Sequence, residues 1–99
     1  MLKQPEQGSI PTKPGSYQFF DKTGTIIYVG KAKNLRNRVN TYFGSKKTMA
    51  SRTKRMMQEA THLEWIQVRN ELEALMLEFT LIKEHKPRFN VDLKDNKSY

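Results

Sequence analysis

The chain has no cysteine at any of its 99 positions. That absence excludes a disulfide framework and a thiolate zinc site, and it fits a reducing compartment, which points to the cytoplasm. There is no apolar run near the ~20 residues needed to span a bilayer, and the N-terminus lacks the apolar core of a secretion signal. Hydrophobic residues make up 36% of the chain, enough for one modest core and one domain. The most informative absence is acid: no Asp or Glu occurs between Asp21 and Glu59. That window holds ten Lys and Arg, while the rest of the chain holds eight basic and ten acidic residues, so the formal net charge of +8 is a local property. A field this concentrated reads as a footprint for a polyanion, nucleic acid foremost. The plainer alternative is a solvated basic face. A lipid surface fits less well, because bulky apolar residues do not recur at helical spacing through the window.

What is present organises into short elements. Residues 1–14 carry Pro5, Gly8, Pro11 and Pro14 and read as an extended arm that yields to structure at Gly15. Ser16–Phe20 and Thr25–Val29 are rich in aromatic and β-branched residues and flank the polar stretch Asp21-Lys22-Thr23-Gly24, which predicts a β-hairpin with a loop of about four residues. Asn34 is an N-cap candidate for a helix from Leu35 to about Phe43, with Leu35, Val39, Tyr42 and Phe43 on one side and Gly44 as its stop. A second helix is expected from near Thr48 to Ala60, and a strand over Leu63–Val68. Asn70 and Glu73 have the spacing of a capping box, opening a helix that runs to about His85 and ends ahead of Pro87. Residues 92–99 are polar and aperiodic and read as a flexible tail or linker. The order ββααβα predicts an α+β fold: a small, mainly antiparallel three-stranded sheet flanked by helices, in a single domain over 1–99.

At ~100° per residue, most of the last helix is apolar and its polar side is narrow, formed by Glu73, Thr80 and Glu84. Glu78 falls inside the apolar arc, between Ala74 and Ile82. An ionised carboxylate facing a core is costly unless it is paired or bound to metal. One reading is an ion pair with a Lys or Arg, or a side chain at the rim that reaches water. The other is a ligand for a hard divalent ion such as Mg²⁺, which one protein carboxylate can hold while water and substrate phosphate complete the shell.

The hairpin carries Gly15-Ser16-Tyr17 on its first strand and Tyr28-Val29-Gly30 on its second, eleven residues on. By periodicity alone these are ordinary strand tyrosines. Taken in order with Lys31, Arg38, Tyr42, Glu78 and Asn90, they resemble the signature of the GIY-YIG nucleases, with Ser16 and Val29 standing where the motif has isoleucine. The runs Tyr28–Val39 and Pro87–Asn90 are similar to the N-terminal endonuclease domains of the UvrC family of bacterial nucleotide excision repair, and the likeness covers about residues 12–91.

The resemblance implies hydrolysis of a DNA phosphodiester on the 3′ side of a lesion, with one Mg²⁺ or Mn²⁺. Its substrate would be damaged double-stranded DNA. It also implies action within a UvrB complex through parts of the longer proteins that have no counterpart in this sequence, so that the chain corresponds to an isolated, monomeric domain. In that scheme Glu78 holds the metal, Arg38 grips a non-bridging phosphate oxygen, and Tyr28 or Tyr17 takes the proton of the attacking water, with Lys31 and Tyr42 beside them and Asn90 positioning backbone. An isolated phenol has a pKa near 10, so ionising it at pH 7 costs about 4 kcal/mol. The cations near Tyr28 are expected to lower that cost. Lys33, Arg36, Lys46, Lys47, Arg52, Lys54 and Arg55 are expected on backbone phosphates, without sequence readout. The alternatives are a non-catalytic basic nucleic-acid-binding module and another structure-specific GIY-YIG endonuclease.

Overall fold

The computed structural model describes residues 2–6, 8–44 and 49–90. The expected tail over 92–99 and the candidate contacts Lys46 and Lys47 lie outside them. Strand β1 (Gly15–Phe20) is the middle of a three-stranded antiparallel sheet, between β2 (Ile26–Ala32) and β3 (His62–Gln67). The helices are α1 (Leu35–Asn40), α2 (Ser51–Glu59) and α3 (Glu71–His85). This is the expected α+β order.

The hairpin turn is built by Asp21. Its Oδ1 accepts from the Thr23 and Thr25 backbone N–H groups at 2.9 and 3.2 Å, while Gly24 takes the left-handed φ of 83° that a side chain would resist. Strand β2 is longer than the sequence pattern predicts: it continues through Gly30 and Lys31 to Ala32, because β1 pairs with it as far as Gly15 opposite Ala32.

Register decides which side chains share a face. Tyr17 stands opposite Gly30 and Trp65, and Phe19 opposite Tyr28 and Leu63. That face carries the core, in which Tyr17, Phe19, Ile27, Leu35, Val39, Tyr42, Met56 and Phe89 pack together. Ser16, Gln18 and Val29 alternate to the other face, where α3 packs on β1 and β2. Ser16 occupies an apolar motif position, yet its hydroxyl is buried. It is satisfied by donating to the Gly30 carbonyl at 2.8 Å and by accepting from the Gln18 amide at 3.3 Å.

Several local expectations change in detail. Asn34 caps α1 by accepting from Asn37 N–H at 3.1 Å, but the α-helix ends at Asn40, and Thr41–Phe43 tighten into a 3₁₀ turn. There the Thr41 hydroxyl donates to the Arg38 carbonyl at 2.6 Å, the kind of local side-chain bond that competes with helix continuation. Asn70 accepts from Glu73 N–H as expected, at 2.9 Å, but Glu73 returns to the backbone of Arg69 rather than of Asn70 and adds the Arg69 guanidinium.

The apolar arc of α3 is the larger correction. Only Ala74 is buried, while Leu72 (64%), Leu75 (47%), Met76 (59%) and Phe79 (59%) stay exposed. The helix rests on the sheet along a narrow stripe, so much of its apolar surface faces out. The segment before β1 is tied down: Ile10 is buried in the core, and Leu35 and Arg36 donate their backbone N–H groups to the Lys13 and Pro11 carbonyls.

Candidate active site

Four of the sequence-selected side chains meet on the core face of β2. The Tyr17 and Tyr42 hydroxyls lie 2.8 Å apart, and Arg38 donates from Nε to the Tyr17 hydroxyl at 3.3 Å while its guanidinium sits 5.8 Å from the Tyr42 ring centre. The Tyr28 ring completes the group at 6.3 Å from Tyr17 and 6.4 Å from Tyr42. The local reasons are plain. Tyr17 and Tyr28 are brought to one face by antiparallel pairing, and the α1 N-cap sets the turn that swings Arg38 and then Tyr42 over them. Gly30 is required by this packing: a Cβ there would stand 2.3 Å from both Cζ and the hydroxyl oxygen of Tyr17.

Burial separates the three tyrosines. Tyr17 is 1% exposed and Tyr42 7%, whereas Tyr28 is half-buried at the rim. Desolvation raises the Tyr17 phenol above its ordinary value against the opposing hydrogen bonds from Tyr42 and Arg38. It raises Tyr42 further, with the Tyr17 and Tyr28 hydroxyls adding to the effect. For these two phenols, loss of water outweighs one nearby guanidinium. Arg38 itself is held more firmly cationic, chiefly by its bond to Tyr17.

Asn90 works through the backbone. Its Oδ1 accepts from Val29 N–H at 2.7 Å and its amide donates to the Val29 carbonyl at 2.9 Å, so one side chain stands in for a fourth strand on the outer edge of β2, next to Tyr28. Lys31 pairs with Ser16 and therefore projects to the α3 side of the sheet. Glu78 is half-buried on α3, the helix packed on the strands that carry Tyr17 and Tyr28. No group of three His, Cys, Asp or Glu that could enclose a metal exists among the described residues. A single protein carboxylate can hold a hard ion that keeps most of its water, such as Mg²⁺.

The basic residues divide. Arg52 and Arg55 on α2 line an open cleft with Ser51, Glu59 and Arg88. Arg36 is committed to the fold, since its Nε donates to the Ile10 carbonyl at 2.8 Å, and Lys33 lies 3.9 Å from Glu71 in an exposed pair. Sequence reasoning missed Arg88, which pairs with Glu59 and, at 3.6 Å, with Asp21. Its partners lie far along the chain, and no local pattern marks it.

The UvrC-like GIY-YIG domain model matches residues 13–91. The chain is 52% identical over 96 residues to UvrABC system protein C of Salinispora tropica and to that of Paenarthrobacter aurescens; the match covers 97% of this chain and 14% of either relative. The chain therefore spans only a small part of the curated relatives it matches. It also resembles the crystal structure of the GIY-YIG N-terminal endonuclease domain of UvrC from Thermotoga maritima, bound to magnesium as its catalytic divalent cation. There the TM-score is 0.74 at 42% identity, over 82% of this chain and 86% of that one. A domain model matching residues 13–91 and relatives 52% identical over 97% of the chain place it in the UvrC-like GIY-YIG domain family.

Proposed function

We propose that this domain is a divalent-metal-dependent endodeoxyribonuclease that makes the 3′ incision of nucleotide excision repair. It would work in the cytoplasm as one monomeric domain over residues 1–99, on damaged duplex DNA and together with UvrB. The observation that carries the reading is the clustering of Tyr17, Tyr28, Arg38 and Tyr42 at edge strand β2, whose backbone Asn90 holds from outside.

Within that cluster the roles follow from burial and reach. Tyr28 is the phenol with access to water, so it takes the proton of the attacking water. Tyr17 and Tyr42, sealed and neutral, fix the ring of Tyr28 and the guanidinium of Arg38. Arg38 spends Nε on Tyr17, which leaves its terminal N–H groups for a non-bridging phosphate oxygen. Glu78 would hold the Mg²⁺ or Mn²⁺, with Lys31 adding positive charge on the same side of the sheet. When bound, the ion would supply Lewis-acid stabilisation of the phosphate. Arg52 and Arg55 extend the positive surface along the strand.

Glu78→Gln, assayed for Mg²⁺-dependent incision and for DNA binding in parallel, tests this directly. We expect incision to fall at least about a hundredfold, as expected for losing several kcal/mol of charge stabilisation, with binding within about twofold of the parent. If binding falls as far as incision, or if the parent chain cuts no DNA with Mg²⁺ or Mn²⁺, the domain is a binding module.

A further inference from the structure

Beside the tyrosine cluster lies a cavity of about 140 Å³ that the proposed chemistry does not use. Tyr28, Tyr42, Met56 and Phe89 form its apolar walls, and Thr53 and Arg52 stand at its mouth. The Tyr42 hydroxyl is taken by Tyr17, so what Tyr42 offers the cavity is ring surface. A cavity of roughly this size admits one flat ring, as a ~150 Å³ cavity admits benzene. Next to it, sharing Arg52 and Phe89, is the cleft lined by Ser51, Arg55, Glu59 and Arg88. An aromatic-walled hole thus adjoins a cationic slot, and the hole borders Tyr28, the side chain that meets the attacking water. In a nucleic-acid strand a flat base alternates with an anionic phosphate.

We propose that this cavity is a nucleobase subsite: it receives the base of the nucleotide flanking the scissile phosphate, stacked against Tyr28 and Phe89, while Arg52 and Arg55 take the neighbouring phosphate. The proposal rests on the nuclease reading for where the reacting phosphate sits. Stacking on aromatic walls tolerates every base, because each has a π-face, so the subsite grips the strand without reading its sequence. It also favours a nucleotide already unstacked, since drawing a base out of an intact duplex is costly.

The test uses the 99-residue chain and a duplex with a short unpaired stretch. The stretch carries 2-aminopurine or, in a matched strand, an abasic residue at each position in turn around the cut. At one position we expect the 2-aminopurine fluorescence to be quenched on binding, and the abasic strand to bind about tenfold more weakly. Thr53→Phe, which fills the mouth, and Ala50→Phe, placed on the exposed lip should the first fail to fold, are expected to bind the base-containing strand about as weakly as the abasic one. Equal affinity for base-containing and abasic strands at every position overturns the proposal. So does a filled variant that melts higher and binds like the parent, because the cavity is then a packing gap. Discrimination by a chain that never cuts DNA keeps the subsite and removes the nuclease reading. Incision without discrimination does the reverse.

Discussion

Gly30→Ala is the sharpest probe of how the tyrosine cluster is built. The added Cβ would lie 2.3 Å from Tyr17 Cζ and its hydroxyl oxygen, and 2.7 Å from Cε1, all inside ordinary contact distance. The ring has little room to retreat, because it packs edge-on against Phe19 and Tyr42, at 6.0 and 5.6 Å between ring centres. Overpacking of this kind costs about 1–3 kcal/mol. Moving the Tyr17 hydroxyl off Tyr42 and Arg38 leaves a buried polar group short of partners, for about 1 kcal/mol more. We expect a loss of about 2–4 kcal/mol. In a domain of this size that lowers Tm by roughly 10–25 °C, and incision should fall with it. Urea and thermal melts followed by circular dichroism read the loss. Gly24→Ala is the control: nothing lies within 4 Å of its Cβ, and only the φ of 83° opposes the change, for about 1 kcal/mol. Pairing Gly30→Ala with Tyr17→Ala removes the obstructing ring, so the double variant should lose at least about 1 kcal/mol less than the two single losses summed. A Gly30→Ala protein within about 0.5 kcal/mol of the parent, or strict additivity with Tyr17→Ala, would refute the packing argument.

Asn90→Ala should cost about 2–4 kcal/mol and slow incision, because it strips the buried Val29 N–H and carbonyl of both partners; hydrogen exchange at Val29 reports the loss. Tyr17 and Tyr42 hold their protons more tightly when folded than the ordinary phenol, so the folded state binds more protons above about pH 10. Their contribution to stability should therefore be constant below that pH and fall as pH rises beyond it, with Tyr42→Phe flattening the alkaline limb in pH-jump unfolding. DNA affinity should fall linearly in log–log plots against salt, and Arg52→Ala or Arg55→Ala should each reduce the slope by about one, as measured by fluorescence anisotropy. A slope that neither change alters would remove α2 from the interface.

The hairpin, the Asn34 and Asn70 caps and the α3 stop were legible because each is written in a few adjacent residues. The same holds for Tyr17, Tyr28 and Arg38 as members of a motif. Helix ends were less legible, because at Thr41 a side-chain bond competes with the ladder. The Arg88 pairs were not legible at all, since Asp21 and Glu59 reach it only in the folded molecule.

By itself the sequence determined the element order and the basic window, which follow from local spacing and composition, while the candidate site residues came from resemblance to a family signature. Only the tertiary structure decided which tyrosine is sealed and which is left at the rim, that Asn90 closes the outer edge of β2, and that α3 buries Ala74 while leaving Leu72, Met76 and Phe79 outside. Water access is not a property of neighbours along the chain. It is set by what packs over a side chain from elsewhere, so residues with nearly the same local context, Tyr17 and Tyr28, end with different exposure.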